Sequence, residues 1–179
     1  MNTITYIKRP LLNGREIMSW AFKNGFKSCL APEDMHITLA SSTTPIDIKE
    51  SGINSKPFSI LNWGDYSNLD PRKIDFSVTD KKRDSQRTLK RLGKKGPLVL
   101  KVPCDYIKDR WKEFIHHGGS WEYATYQPHV VLSYYNHDLD IDAIKPFSAP
   151  LHFGAEEQTM VSPNWESNIK EKFNRRNKN

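Results

Sequence analysis

The chain has few cysteines and no long apolar run. Only Cys29 and Cys104 occur among its 179 residues. They lie too far apart to suggest a disulfide framework or a metal-ligand pair, so we expect a reducing compartment. No segment approaches the ~20 apolar residues that span a bilayer, and the first ten residues lack the pattern of a secretory signal. These absences predict a cytoplasmic protein that does not associate with membranes.

The composition predicts one globular domain. The chain is 37% hydrophobic and 27% charged, which is enough apolar content for a sizeable core. We therefore expect residues 1–179 to form a single domain, although the length also suits two fused lobes that share a cleft.

Basic residues are in excess and unevenly placed. The net charge is +6, and Lys81–Lys95 contains eight basic residues against the single acid Asp84. The tail Lys170–Lys178 is basic again. Such a surface suits an anionic partner, either a nucleotide or a longer nucleic acid. The alternative is a solvated loop and a frayed tail, since charge runs are commonly just solvated.

The first forty residues predict a strand–helix–strand unit. Thr3–Lys8 has the β-forming residues of a strand. Asn13 and Glu16 form a capping-box pattern, in which the Asn13 oxygen accepts from an early helical N–H. Gly25 suits a left-handed helix end. Eleven residues later, His36 opens a second strand, His36–Ala40.

The second half repeats this order and spacing. Leu98–Val102 predicts a strand, Asp105 a helix N-cap, and Gly118 the helix end. Eleven residues after Gly118, His129 opens the strand His129–Ser133. Two such units related by a pseudo-twofold axis would bring the two histidine-headed strands face to face. Between them, Phe58–Leu61 and Ile74–Val78 predict short additional strands.

The two histidines suit acid–base chemistry at a phosphodiester. Side chains at i and i+2 share one face of a strand, so His36 and Thr38 point the same way, as do His129, Val131 and Ser133. An imidazole, with a reference pKa near ~6.5, can accept or donate a proton at neutral pH. This chemistry requires no metal, and the chain has no HxH or HExxH spacing. The alternative is that both are structural histidines at strand ends.

Several segments resemble a known family. His36-Ile-Thr-Leu and His129-Val-Val-Leu resemble the paired motifs of the two-histidine (2H) phosphoesterase superfamily. Longer stretches resemble the phage anti-CBASS nucleases within it: Gly25–Phe26, Pro32–Ala40, Thr44–Asp47, Gly119–Tyr123, Tyr126–Tyr134 and Phe153–Glu156. The resemblance implies an α+β fold of two pseudo-symmetric lobes of antiparallel sheet with outer helices around a central cleft. Lobe one would span about 1–45 and lobe two about 97–136.

The resemblance also implies an activity. Such a protein would cleave the cyclic di- or trinucleotides that a bacterial host makes during infection, without a cofactor, a metal or a protein partner, in the host cytoplasm. His36, Thr38 and His129 match the catalytic motifs. The second motif has Val131 in place of a threonine, which removes a hydrogen-bond donor. Ser133, two residues further along the strand, is the candidate replacement.

The resemblance and the aromatic content suggest how bases would bind, since base stacking on aromatic side chains is worth ~1–3 kcal/mol per base. Tyr6 matches the family's stacking tyrosine, while Trp63 and Trp121 are further candidates. Glu156 would accept from a base edge, and Trp165 belongs to a C-terminal segment, 150–179, that would act as a lid.

Two other functions stay open. One is a 2H enzyme that processes linear RNA ends or 2′,3′-cyclic phosphates, which the basic Lys81–Lys95 run would favour if it lined the cleft. The other is a sponge that binds a cyclic nucleotide without cleaving it, which Val131 makes reasonable.

Overall fold

The computed structural model describes residues 3–61, 77–79 and 87–177. Their fold is α+β and mostly antiparallel, which confirms the predicted class. The strands are β1 Ile4–Pro10, β2 His36–Ser42, β3 Phe58–Leu61, β4 Ser77–Thr79, β5 Thr88–Arg91, β6 Leu98–Lys101, β7 His129–Ser133, β8 Leu151–Phe153 and β9 Glu157–Val161. The α-helices are α1 Gly14–Lys23, α2 Ile48–Ser51, α3 Asp105–His116 and α4 Trp165–Arg176.

The main sheet contains the two repeated units side by side. Its six strands follow the order β5-β6-β7-β2-β1-β9, and all described pairs in it are antiparallel. The histidine-headed strands β2 and β7 are neighbours at the centre, with β1 beside β2 and β6 beside β7. Each unit therefore occupies an equivalent place on its own side of the β2–β7 junction.

A smaller sheet has the order β4-β3-β8. The predicted strand at Phe58–Leu61 is confirmed, and it pairs parallel to β4 and antiparallel to β8. The other predicted strand, Ile74–Val78, overlaps β4 at Ser77–Thr79, while residues 74–76 lie outside the described part of the chain.

The hydrophobic core lies on one face of the main sheet. Ile37 and Leu39 of β2 and Val130 and Leu132 of β7 are completely buried there. The helices α1 and α3 contribute to the same core through four buried side chains: Ile17, Ala21, Ile107 and Phe114. Because side chains alternate along a strand, the opposite face carries the residues between them. That second face is called the histidine face below, after His36 and His129.

The helix ends agree with the sequence at the glycines but differ at the caps. Gly25 and Gly118 have φ of 88° and 100°, as predicted for left-handed ends. The capping box at Asn13 is wrong, because the Asn13 side chain makes no cap hydrogen bond and its oxygen accepts from the backbone N–H of His152 instead. The predicted cap at Asp105 is displaced by one residue, since Cys104 takes the N-cap position and Asp105 begins α3.

A membrane-spanning helix is not found among the helices that the structure describes. The longest of these, α3 and α4, have 12 residues each.

Candidate active site

The strand register brings the two histidines together on the histidine face. Ile37 of β2 lies opposite Val130 of β7 in an antiparallel pair. The neighbouring positions therefore place Thr38 across from His129, and His36 across from Val131. His36 and His129 are then diagonal neighbours, with backbones ~7–8 Å apart. Their charges interact, because a protonated His129 lowers the pKa of His36.

Both imidazoles are held by the same local contact. Nδ1 of His36 lies 2.8 Å from the carbonyl oxygen of Asp34, and Nδ1 of His129 lies 2.7 Å from that of Gln127. In each case the acceptor is the residue two positions earlier. A carbonyl can only accept, so Nδ1 carries the hydrogen in both rings and Nε2 presents a lone pair when the ring is neutral.

Tyr6 connects His36 to Thr38. The Tyr6 hydroxyl lies 2.7 Å from Nε2 of His36 and 2.6 Å from Oγ1 of Thr38. Burial raises the pKa of Tyr6 above its ordinary value, so the hydroxyl stays protonated at neutral pH. The ring of Trp165, at the start of α4, lies 4.4 Å from the Tyr6 ring, centroid to centroid. Four of the predicted site residues, His36, Thr38, Tyr6 and Trp165, are therefore in one connected group beside His129.

Burial makes both histidines weak bases in the free protein. Desolvation lowers the pKa of His36 to about 4, with a smaller lowering from the charge of Lys8, although the hydrogen bond to Asp34 opposes it. Desolvation also lowers the pKa of His129, and the nearby ammonium of Lys101 adds to this. Both rings are neutral at pH 7, and an anion placed between them would favour their protonated forms.

The backbone of Thr38 is fixed by an aromatic cluster. The Tyr126 hydroxyl donates to the Thr38 carbonyl oxygen at 2.6 Å. Trp111 stacks on the Tyr126 ring, and Trp121 packs edge-on against both. The Trp121 side chain thus has a packing role behind Thr38, and no contact joins it to either histidine.

Ser133 does not reach the histidine face, contrary to the expectation that it replaces the missing threonine. Its side chain is completely buried. Its hydroxyl is bonded to Ser28, to the side chain of Asn136 and to the backbone of Tyr135. The pairing of β6 with β7 shifts register between Leu98 and Val99, opposite the segment between Val131 and Ser133. This irregularity interrupts the alternation on which the prediction depended.

Glu156 is part of a buried ionic cluster, and the prediction that it accepts from a base is not supported by its contacts. Its Oε2 accepts from the backbone N–H of Asn54, and Arg110 binds both of its oxygens at 2.7 and 2.8 Å. Arg9 approaches Oε1 at 3.5 Å. The side chains of Glu156 and Arg9 are completely buried. Because Arg9 alternates with Lys8 along β1, the cluster lies on the side of the sheet away from the histidines.

The predicted lid segment is packed in place at its helix. Lys172 and Arg176 of α4 form ion pairs with Asp34, the residue whose carbonyl holds His36. Trp165 covers Tyr6 at the other end of α4. The lid role of this segment stays a prediction. Trp63 lies outside the described residues.

Three charged residues on the histidine face were missed from the sequence. Lys8 of β1 lies across from Thr38, and Lys101 of β6 lies across from His129. Glu157 of β9 lies across from Lys8. Each of these residues follows the alternation of its strand, so the sequence pattern contained the information. The pattern identifies their neighbours only once the order of strands in the sheet is known.

The basic run contributes structural contacts as well as surface charge. Within its described part, Arg87 is buried and donates to the carbonyl oxygens of Phe147, Ala149 and Ile60. Arg91 likewise donates to backbone carbonyls, including that of Asn136. Residues 81–86 of the run are outside the described chain. Over the residues that are described, no group of three or more His, Cys, Asp or Glu side chains is arranged to hold a metal.

The fold and the paired imidazoles define a class of α+β protein. In this class, each of two repeated units contributes one strand-borne histidine, and both histidines share one face of an antiparallel sheet. The family model described as Anti-CBASS protein Acb1 matches residues 3–168. The chain therefore belongs to the Acb1 family.

Two relatives extend this finding. The chain is 31% identical over 160 residues to the Anti-CBASS protein Acb1 of Sphingomonas paeninsulae, covering 89% of this chain and 23% of that protein. It is 28% identical over 166 residues to the Anti-CBASS protein Acb1 of Caulobacter sp. (strain RHG1), covering 93% of this chain and 24% of that protein. The chain thus spans about a quarter of the length of these curated relatives.

Proposed function

We propose that the protein is a metal-independent phosphodiesterase of the 2H phosphoesterase type that linearises cyclic di- or trinucleotides, so that a phage evades CBASS immunity in the cytoplasm of its bacterial host. The observation that carries the proposal is the pair of imidazoles on the histidine face, each oriented by a carbonyl two residues earlier, with Nε2 of His36 accepting from the Tyr6 hydroxyl. Membership of the anti-CBASS family supports the biological role.

The proposed reaction is an in-line displacement at phosphorus. One neutral imidazole takes the proton of the 2′-hydroxyl as its oxygen bonds to phosphorus. The other imidazole, protonated, gives its proton to the departing 5′-oxygen. The products are a 2′,3′-cyclic phosphate and a 5′-hydroxyl on one opened chain. The Thr38 hydroxyl donates to the Tyr6 oxygen in the free protein, and in the proposed reaction it turns to donate to a non-bridging oxygen as charge develops.

Chromatography of the products tests the proposal directly. The protein is mixed with cyclic di- and trinucleotides in EDTA, and we expect linear products that carry a 2′,3′-cyclic phosphate. A free 3′-hydroxyl end would contradict the proposed nucleophile. Activity that appears only when a divalent metal replaces EDTA would contradict the metal-free chemistry.

The sponge remains a second candidate, because Val131 supplies no hydrogen-bond donor across from His36. Counting products per protein molecule distinguishes the two functions. More than one product per molecule excludes the sponge, whereas tight binding without product would favour it. The RNA-processing alternative is tested by long RNA as a competitor, whose binding should weaken steeply with salt if an extended backbone is bound.

A threonine at position 131 should accelerate the reaction. Thr38 lies across from His129, and Val131 lies across from His36. Val131→Thr therefore gives His36 the same kind of cross-strand hydroxyl that Thr38 gives His129. Losing one such donor typically costs ~10²–10³ in rate, and we expect kcat to rise about 10- to 100-fold. Single-turnover rates measure this. Val131→Ala is the matched control. An equal increase in kcat in that variant would mean that the change in packing, and not a new hydrogen-bond donor, causes the acceleration.

The pH dependence should differ between kcat/KM and kcat. The reaction needs one protonated imidazole, and in the free protein burial lowers the pKa of His36 to about 4 and lowers that of His129 as well. Because both pKa values lie below the ordinary ~6.5, the required form becomes more abundant throughout the fall from pH 8 and continues to do so below pH 6.5. We expect kcat/KM to rise about tenfold per pH unit on going down from pH 8 towards pH 6.

The pH optimum of kcat should lie higher than that of kcat/KM. In the enzyme–substrate complex, the negative charge of the substrate phosphate favours the protonated imidazole. Initial rates from pH 5 to 9 at constant ionic strength give both profiles, with circular dichroism as the check on folding. A kcat/KM that increases with pH between 6 and 8 would contradict the assignment of an imidazolium acid.

A further inference from the structure

The histidine face carries a row of polar side chains that runs across four neighbouring strands. Lys101 of β6 lies opposite His129, His129 lies opposite Thr38, and Thr38 lies opposite Lys8 of β1. Adjacent strands are ~5 Å apart, so Lys101 is one strand spacing from His129 and the two lysines are ~14 Å apart. The scissile phosphate would lie near the middle of this row.

The two ends of the row have opposite electrostatic surroundings. At the β1 end, Glu157 of β9 lies directly across from Lys8. The carboxylate of Glu166 is also close enough to raise the pKa of Tyr6. Carboxylates therefore lie near the Lys8 end of the row.

At the β6 end, no carboxylate of the described residues lies across from the lysines. The outer neighbour of Lys101 on β5 is the uncharged Thr88. Two residues further along β5, Lys90 lies across from Val99 on the same face. Desolvation lowers the pKa of Lys101, and repulsion from Lys90 and Lys108 adds to this. Among the described residues, neither Lys101 nor Lys90 takes part in an ion pair. Unpaired, mutually repelling ammonium groups beside an anion-handling site are stabilised by a bound anion.

We propose that Lys101 and Lys90 form a subsite for a second phosphate of the substrate, beside the scissile phosphate that the two histidines hold. This inference rests on the proposed function, and it assigns residues to the second phosphate of that substrate class. A ring with at least two phosphodiesters would occupy both positions, while a compound with one phosphodiester would leave the subsite empty.

Lys101→Met tests the subsite, because methionine keeps the unbranched stem and removes the charge. The two substrates are a cyclic diadenylate, which has two phosphodiesters, and linear adenylyl-(3′→5′)-adenosine, which has one. We expect KM for the cyclic compound to rise about tenfold, with no change in KM for the linear compound. Any change in kcat should be the same for both compounds, because Lys101 also lowers the pKa of His129. Lys90→Met should act in the same direction with a smaller effect, because Lys90 is more exposed and further from His129.

Lys112→Met removes the same charge from an exposed position of α3, where Lys112 pairs with Asp109. It should leave both substrates unaffected and so controls for net charge. An equal rise in KM for both substrates in Lys101→Met would place Lys101 at the scissile phosphate. No rise in KM for either substrate would show that Lys101 does not contribute to substrate binding. Either result overturns the subsite.

Failure of catalysis can be separated from failure of the subsite by calorimetric titration of cyclic diadenylate. If the unaltered protein cleaves neither compound but binds the ring about tenfold more tightly than Lys101→Met does, the phosphodiesterase proposal fails and the subsite stands. If it binds neither compound, both proposals fail.

Discussion

Replacing either His36 or His129 by alanine should lower kcat for a cyclic dinucleotide by about 10³-fold or more. A positioned acid or base contributes ~10²–10⁴ to the rate, and in the proposed mechanism each imidazole is the only group in its role. Because the two act on one transition state, the double variant should be hardly slower than the worse single variant. Product formation under single-turnover conditions, with enzyme in excess, measures these rates.

The controls separate chemistry from folding. His137→Ala alters an exposed histidine that lies outside the candidate active site, and this variant should retain full activity. Melting temperatures of the site variants should stay close to that of the unaltered protein, and calorimetry should still detect substrate binding. If His36→Ala keeps more than about a tenth of the activity while folded, the paired-imidazole mechanism is wrong, since the removed contribution is expected to be far larger.

Glu156→Gln should destabilise the protein by about 3–5 kcal/mol. The substitution keeps the shape of the side chain but removes the charge that neutralises Arg9 and Arg110 in a buried site, and breaking a buried pair from one side has a cost of this size. For a chain of this length the melting temperature should fall by roughly 10 °C or more. Urea unfolding followed by circular dichroism measures the free energy.

The neighbouring residue provides the control for this prediction. Glu157→Gln makes the same chemical change at an exposed position of β9, and its effect on stability should be within about 0.5 kcal/mol. A higher KM in Glu156→Gln with an unchanged melting temperature would restore the base-binding role that the sequence pattern suggested for Glu156. The two adjacent glutamates thus distinguish a structural carboxylate from a ligand-binding one.

Local features of the fold could be predicted from the sequence because short-range physics determines them. The strands headed by His36 and His129 begin where their apolar alternation begins, and Gly25 and Gly118 end their helices because glycine tolerates positive φ. The equal spacing in the two units predicted that their histidine strands would meet. The register of β2 with β7 places His36 and His129 as diagonal neighbours.

Contacts between distant segments could not be predicted in this way. Ser133 was assigned to the histidine face by alternation, but the register shift in the β6–β7 pair and the contact with Ser28 place it in the interior. Asn13 was predicted to cap its own helix, yet its oxygen binds the backbone of His152. In both cases a partner more than 100 residues away competes with the local interaction, and no local pattern records it.

The sequence by itself determined which residues are the candidates for the chemistry: two imidazoles at matching places in a repeat, with a threonine beside the first. Only the tertiary structure decided which charges surround them. Strand order puts Lys8 and Lys101 on either side of the histidines, and it sends Glu156 to the opposite side of the sheet while Glu157 stays on the histidine face. The reason is physical: alternation along a strand gives each side chain one of two faces, and only pairing between strands determines what lies beside it.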